Sequence, residues 1–300
     1  MKNEIKAPSL PAYRPALLHG GYGAEVAQAR HMVLSADARA KASDEMVHVS
    51  AYHAGGSFSE HRPYAFRDGV AIIGVRGYLM DDYPWIGDRW ATGYDGLRFQ
   101  ADEAFADPDV KGVVLDIKSY GGYVAACFDL CDHLHALKVS TGKPVAAILS
   151  EYAYSAAYAI ASIADSISVP RTGGVGSIGV ICEHWNMAGA LEKWGEEVTV
   201  VTSGAHKGDG NPYGPLPDSV RADLQADLDA TRLLFAETVV RGRVAAGVTL
   251  TVEDVLATEA RSYDGPLMTA KAVELGLADA VLAPSDAFAA FVAAINSNED

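Results

Sequence analysis

The sequence predicts an α/β protein whose parallel sheet lies under helical cover. Two observations predict it. Short apolar runs, Val70 to Val75, Gly112 to Ile117 and Pro144 to Leu149, show no polar alternation and so suit strands buried on both faces. Between and after them lie segments of helical period, and strand–helix alternation of this kind implies a parallel sheet. Ligands then belong at the carboxyl ends of the strands.

Each element follows in order. Residues 1–20 carry prolines and glycines without periodicity and read as an arm that is ordered only if it docks. Ala24 to Lys41 places Val26, Ala29, Val33 and Ala36 on one side of a helix. After the strand at Val70 comes a loop, Met80 to Gly93, and a helix, Tyr94 to Ala106, which Asp107-Pro108 stops. Gly112 to Ile117 is a strand, Ser119-Tyr-Gly-Gly122 a turn, and Val124 to Leu137 a helix. Pro144 to Leu149 is a strand, Ser155 to Ala164 a helix of small apolar residues, and Ser166 to Val169 a short strand. Thr172 to Ile181 is glycine-dense, Asn186 to Trp194 a helix and Val198 to Thr202 a strand. The loop Ser203 to Tyr213 is too polar and glycine-rich for an element interior. A long helix spans Pro217 to Ala246. Further helices follow at Val252 to Ala257, Met268 to Leu275 and Ser285 to Ile295, with a strand at Ala278 to Leu282. The expected organisation is an N-terminal arm and helix over 1–68, a main domain over 69–283, and a C-terminal helix and tail over 284–300.

Bulk composition narrows the function. The 300 residues carry 24 basic and 39 acidic side chains, a net charge of −15, with no basic run. That argues against a nucleic-acid or anionic-membrane partner. No window approaches the roughly 18 consecutive apolar residues of a membrane span, and the first residues lack the apolar core of a secretory signal. Three cysteines suggest reduced thiols. Cys127 and Cys131 lack the further ligands of a zinc site, so they read as buried small hydrophobes and no metal or cofactor is expected.

The chemistry centres on Ser155, at a strand-to-helix junction beside free backbone N–H groups. Such a serine either caps the helix or serves as a nucleophile whose substrate becomes an oxyanion. A nucleophile needs a base. Among the nine histidines only His206 lies in a loop that looks built for a site. Its neighbour Lys207 is the better candidate, since a lysine becomes a base when burial lowers its pKa from about 10.4 towards 7–8. Gly204, Gly208 and Gly210 would let that loop turn inward.

The residues carry a family resemblance. The order Ser-Tyr-Gly-Gly122, Tyr-Ser-Ala-Ala-Tyr158, Thr-Gly-Gly-Val-Gly-Ser-Ile-Gly-Val180 and Gly-Ala-His-Lys207 resembles the S49 serine peptidases, over about Gly69 to Leu282. Within this signal-peptide-peptidase-A-like family it looks most like the tailed-phage branch, the capsid-assembly (prohead) proteases. Cys-Phe-Asp-Leu130, Pro-Arg-Thr-Gly-Gly-Val-Gly-Ser-Ile-Gly179 and Asp-Gly-Asn-Pro-Tyr213 carry that likeness. The resemblance implies a ClpP/crotonase-like fold, a Ser155–Lys207 dyad, and Ser177 as the residue orienting the lysine. The Ala156 N–H and the Gly121-Gly122 turn would then hold the oxyanion, although glycines there also suit a tight turn and Ser177 a turn hydroxyl. Where relatives commonly have Asn-Ser-Pro, this chain has Lys118-Ser119-Tyr120. The implied function is an endopeptidase acting through an acyl-enzyme on capsid scaffold, portal or its own chain. It would work as a homo-oligomer in the cytoplasm of a bacterial host or inside a procapsid. The alternatives are a cytosolic peptide-degrading relative and a catalytically silent assembly protein.

Overall fold

The computed structural model describes residues 16–18, 62–81 and 90–297. The expected helix over Ala24 to Lys41 lies outside them. Among the described residues one ten-stranded sheet holds the molecule together. Its strands are β1 (Ala16–Leu18), β2 (Ala65–Arg67), β3 (Val70–Met80), β4 (Ala91–Gly93), β5 (Gly112–Tyr123), β6 (Val145–Tyr154), β7 (Ser166–Val169), β8 (Gly174–Gly176), β9 (Ser262–Asp264) and β10 (Ala280–Val281). The main order is β10-β7-β6-β5-β3-β2. β3, β5, β6, β7 and β10 run parallel, as the strand–helix alternation requires, while β1, β2 and β9 add antiparallel pairs. The helices are α1 (Tyr94–Ala106), α2 (Cys127–Thr141), α3 (Ala156–Ser162), α4 (Ala188–Trp194), α5 (Asp218–Ala245), α6 (Val252–Leu256), α7 (Gly265–Glu274) and α8 (Pro284–Asn296). The α/β class with a mostly parallel sheet is as expected.

The period-two geometry of strands explains why the central runs read as uniformly apolar. Ala71, Ile73 and Val75, with Val113, Leu115 and Ile117 and with Val145, Ala147 and Leu149, face the large core under α1, α2, α3 and α5. The alternating residues Val70, Ile72, Val114, Ala146 and Ile148 face the other way, where Ala287, Phe288 and Ile295 of α8 cover them. Burying a side chain such as Phe288 or Ile295 stabilises the fold by roughly 1.5–3 kcal/mol. Cys127 and Cys131 lie in the large core with no measurable exposure, packed as small hydrophobes.

Buried ionic groups fasten the crossovers. Lys138 of α2 donates to the Ile163 carbonyl at 2.7 Å and to Asp165 at 2.8 Å, and Asp165 accepts the Val145 N–H at 2.8 Å. The fully buried Arg243 of α5 donates to the Gly276 carbonyl at 3.0 Å and to Asp279 at 2.7 Å. The first of these links ties α2 to the segment just after α3.

Three expectations fail, the first being the loop over Met80 to Gly93, whose last residues Ala91–Gly93 form β4 against the end of β3. Val198 to Thr202 forms no strand. Its residues are exposed, Val201 at 89%, with no neighbouring strand to accept their backbone bonds. The Ser119 to Gly122 turn is instead the end of β5, which continues to Tyr123 because β3 and β1 pair with it there.

Candidate active site

Ser155 stands where β6 ends and α3 begins, with φ 55° and ψ −125°. A non-glycine residue held there costs on the order of 1–3 kcal/mol and persists only where surrounding contacts enforce it. The contacts are visible. Its N–H donates to the Gly176 carbonyl at 2.9 Å, and its own carbonyl accepts the N–H groups of Tyr158 (2.8 Å) and Ala159 (3.0 Å). The side chain therefore does not cap the helix. The serine is fully buried, and its hydroxyl reaches only the Gly179 carbonyl, at 3.5 Å. Ala156, the first residue of α3, has an N–H with no partner inside the helix. The run of alanines lets α3 lie close to α2, with the Ala156 carbonyl accepting from the Cys127 thiol at 3.9 Å. Deeper along α3, Tyr158 donates to the Leu277 carbonyl at 2.8 Å, and burial pushes its phenol well above the ordinary value.

The end of β5 forms the facing wall. Gly121 has φ +105°, a conformation that suits glycine. A Cβ on Gly122 would sit 1.9 Å from the Leu79 carbonyl oxygen, so only glycine fits. Ser119 organises the pair: its hydroxyl donates to the Gly77 carbonyl at 2.6 Å and accepts the Gly121 N–H at 3.1 Å. The Gly121 N–H is thus already engaged. Sequence reasoning missed this role for Ser119. It also missed the aromatic stack beside it, Tyr120 on Tyr152 at 4.3 Å and Tyr152 on Tyr154 at 5.3 Å. The Tyr152-x-Tyr154 spacing, two residues apart on one strand face, was the available signal.

The glycine-dense segment supplies the third wall. β8 runs parallel to β6, pairing Tyr152 to Tyr154 with Gly174 to Gly176. A Cβ on Gly174 would meet the Tyr154 hydroxyl at 2.2 Å, and Gly176 has φ +105°. Ser177, also at positive φ (55°), is mostly buried, and its N–H donates to the Arg261 carbonyl at 3.0 Å. Ser155, Ala156, Gly121, Gly122 and the Ser177 turn therefore share one end of the sheet.

Lys207 is exposed on the loop between α4 and α5, and no hydrogen bond joins it to Ser155. Asp209 pairs with His206 at 2.8 Å rather than with the Lys207 amine. No histidine hydrogen-bonds Ser155 among the described residues: His133 pairs with Asp102 at 2.5 Å, and His184 with the Asn211 carbonyl at 2.9 Å.

Comparison with known proteins decides the family. The model of peptidase family S49 matches residues 137–295, which include Ser155, Ser177 and Lys207. The chain belongs to peptidase family S49. Among curated S49-like relatives it is 40% identical over 230 residues to the capsid assembly protease C of Escherichia phage lambda, covering 75% of this chain and 49% of that one. It is 39% identical over 251 residues to the head-tail preconnector protein GP5 of Enterobacteria phage P21, covering 82% and 47%. The chain spans about half the length of these relatives. Among solved structures, a probable enoyl-CoA hydratase/isomerase from Mycobacterium abscessus is similar at 14% identity and a TM-score of 0.41, over 77% of this chain and 72% of that one. No helix among the described residues is long and apolar enough to cross a membrane.

Proposed function

We propose that this S49 chain is a serine endopeptidase of phage capsid maturation, with Ser155 as nucleophile and Lys207 as general base. The observation that carries the reading is the backbone of Ser155, a buried serine held at φ 55° by three main-chain hydrogen bonds at the end of the sheet it shares with Gly121, Gly122 and Gly176. Strain of this kind clusters at nucleophiles on strand-to-helix turns. In the proposed reaction the neutral Lys207 amine takes the Ser155 proton as the oxygen attacks the scissile carbonyl. The Ala156 and Gly122 N–H groups hold the oxyanion, Gly121 being engaged with Ser119. The lysine then protonates the leaving amine, and a water deprotonated by the same amine hydrolyses the acyl-enzyme. Ser177 is the orienting hydroxyl for the lysine. The relatives named for capsid assembly and head–tail connection support capsid proteins as the substrate class.

Lys207 is exposed, and the segment that bears it suits delivery by a second copy of the chain. α4 buries none of its residues, and Trp185, Trp194 and Val201 are 70%, 65% and 89% exposed. Apolar area of this extent on one segment marks a protein contact. In a homo-oligomer, Lys207 from one copy would complete the Ser155 site of another. The test mixes two full-length variants, Ser155→Ala and Lys207→Ala, each expected to hydrolyse no peptide alone. Exchange of subunits should restore about a quarter of the parent activity, because each shared site needs one intact residue from either copy. Inactivity of the mixture after proven exchange would confine the dyad to one chain. Full activity of Ser155→Ala alone would end the reading of Ser155 as the nucleophile.

A further inference from the structure

A strand has two hydrogen-bonding edges, and the use of those of β5 changes along its length. One edge pairs with β3 as far as Leu79 opposite Gly122. The other pairs with β6, but only as far as Ser119 opposite Ala153. Beyond that point β6 leaves to make the Ser155 turn. Over Gly121–Tyr123 this edge is therefore not paired by β6. An edge that its neighbouring strand leaves is a template for an added strand.

The chain fills this edge with its own residues. β1 lies antiparallel to it, with Ala16 opposite Tyr123, Leu17 opposite Gly122 and Leu18 opposite Gly121. Since β3 holds the first edge at Gly121 and Gly122, β1 sits on the edge that β6 vacates. An extended peptide reaching Ser155 between these walls would need the same backbone groups. Among the described residues the pairing is three residues long. A pairing so short is weak by itself but favoured by tethering, because a tethered segment competes at an effective concentration of order mM.

We infer that β1 is an intramolecular occupant of the peptide-accepting edge at Gly121–Tyr123, closing the site to outside peptides until it is displaced or cut. The inference rests on the proposal that peptides bind at this end of the sheet, and it adds what regulates that binding. The test uses full-length protein carrying Ser155→Ala to prevent turnover, and the probe is a fluorescein-labelled peptide of residues Tyr13 to Gly20. Proline removes a backbone donor without relying on any side-chain contact. Alternate residues of an antiparallel strand point their N–H groups at the partner. A16P/L18P and, separately, L17P therefore cover both sets of donors. Fluorescence anisotropy should show the variant that breaks the pairing binding the probe at least tenfold more tightly than the parent, with its melting curve intact. Equal affinity in the parent and both variants, or no binding by any, would overturn the inference. Hydrolysis is read separately with Ser155 restored. A tenfold gain in binding with no hydrolysis would leave β1 as the occupant and remove the peptidase reading instead.

Discussion

Gly242 sits in the last turns of α5, where α5 crosses the end of α3. A Cβ added there would lie 2.2 Å from the Ser162 carbonyl oxygen, 2.8 Å from its carbon and 3.1 Å from the Ile163 Cα. Cβ atoms essentially never approach closer than 3.0 Å, and all three neighbours are backbone. Gly242→Ala must therefore push α5 and α3 apart by about 0.8 Å. Two effects oppose each other. Replacing an interior helical glycine by alanine gains about 1 kcal/mol of helix propensity. Overpacking a core typically costs 1–3 kcal/mol, and occasionally more; a clash with unyielding main chain belongs at the upper end. The expected net loss is about 2 kcal/mol, or roughly 4–8 °C in melting temperature, taking about 2–4 °C per kcal/mol for a large domain. Because α3 begins at Ser155, the same displacement should slow the reaction of that serine. Thermal unfolding followed by circular dichroism measures the first effect directly. A melting temperature that rises, as propensity alone demands, would refute the close crossing of α5 on α3.

Gly122→Ala is expected to lower kcat at least about 100-fold, the usual effect of losing one oxyanion donor, because its Cβ would displace the Leu79 backbone and turn the Gly122 N–H away. Near-parent kcat would remove Gly122 from the site. Acid stability should depend on Asp107. Arg62 and the Tyr64 hydroxyl, each 2.7 Å from Asp107 Oδ2, hold its carboxyl below the usual carboxylate range. Since folding lowers this pKa, its contribution is complete above the unfolded value of about 3.9 and is lost as pH falls through the folded value. Asp107→Asn should therefore flatten the fall in urea midpoint below about pH 4. An unchanged acid limb would dismiss the triad as a stabilising device.

Much of this was legible because the central strands are covered on both faces. Val70–Val75, Gly112–Ile117 and Pro144–Leu149 read as apolar runs whose burial did not depend on register. The segments that escaped are those whose structure is decided by distant partners. β1, β4 and β9 are three residues each, too short for any period, and form only because a neighbouring edge is open. Val198–Thr202 has strand composition but no partner strand and stays irregular. At the site, Ser155 was visible from its place after an apolar strand, and Gly121 and Gly122 from their doublet. The strain at Ser155, the engagement of Gly121 by Ser119 and the Tyr120–Tyr152–Tyr154 stack depend on strand register, which spacing does not encode. Lys207 stood out in sequence as the candidate base for Ser155, and it lies exposed on the loop between α4 and α5.

The most direct measurement is covalent labelling of the full chain with a fluorophosphonate, read by intact mass and peptide mapping. A strained, buried serine with a lysine base predicts a single adduct on the peptide carrying Ser155, absent from Ser155→Ala. It also predicts labelling slowed to a similar degree in Lys207→Ala and Lys207→Arg, because a guanidinium does not give up its proton near neutral pH. An adduct on any other residue, or labelling of Lys207→Arg at the parent rate, would contradict the Ser155–Lys207 account.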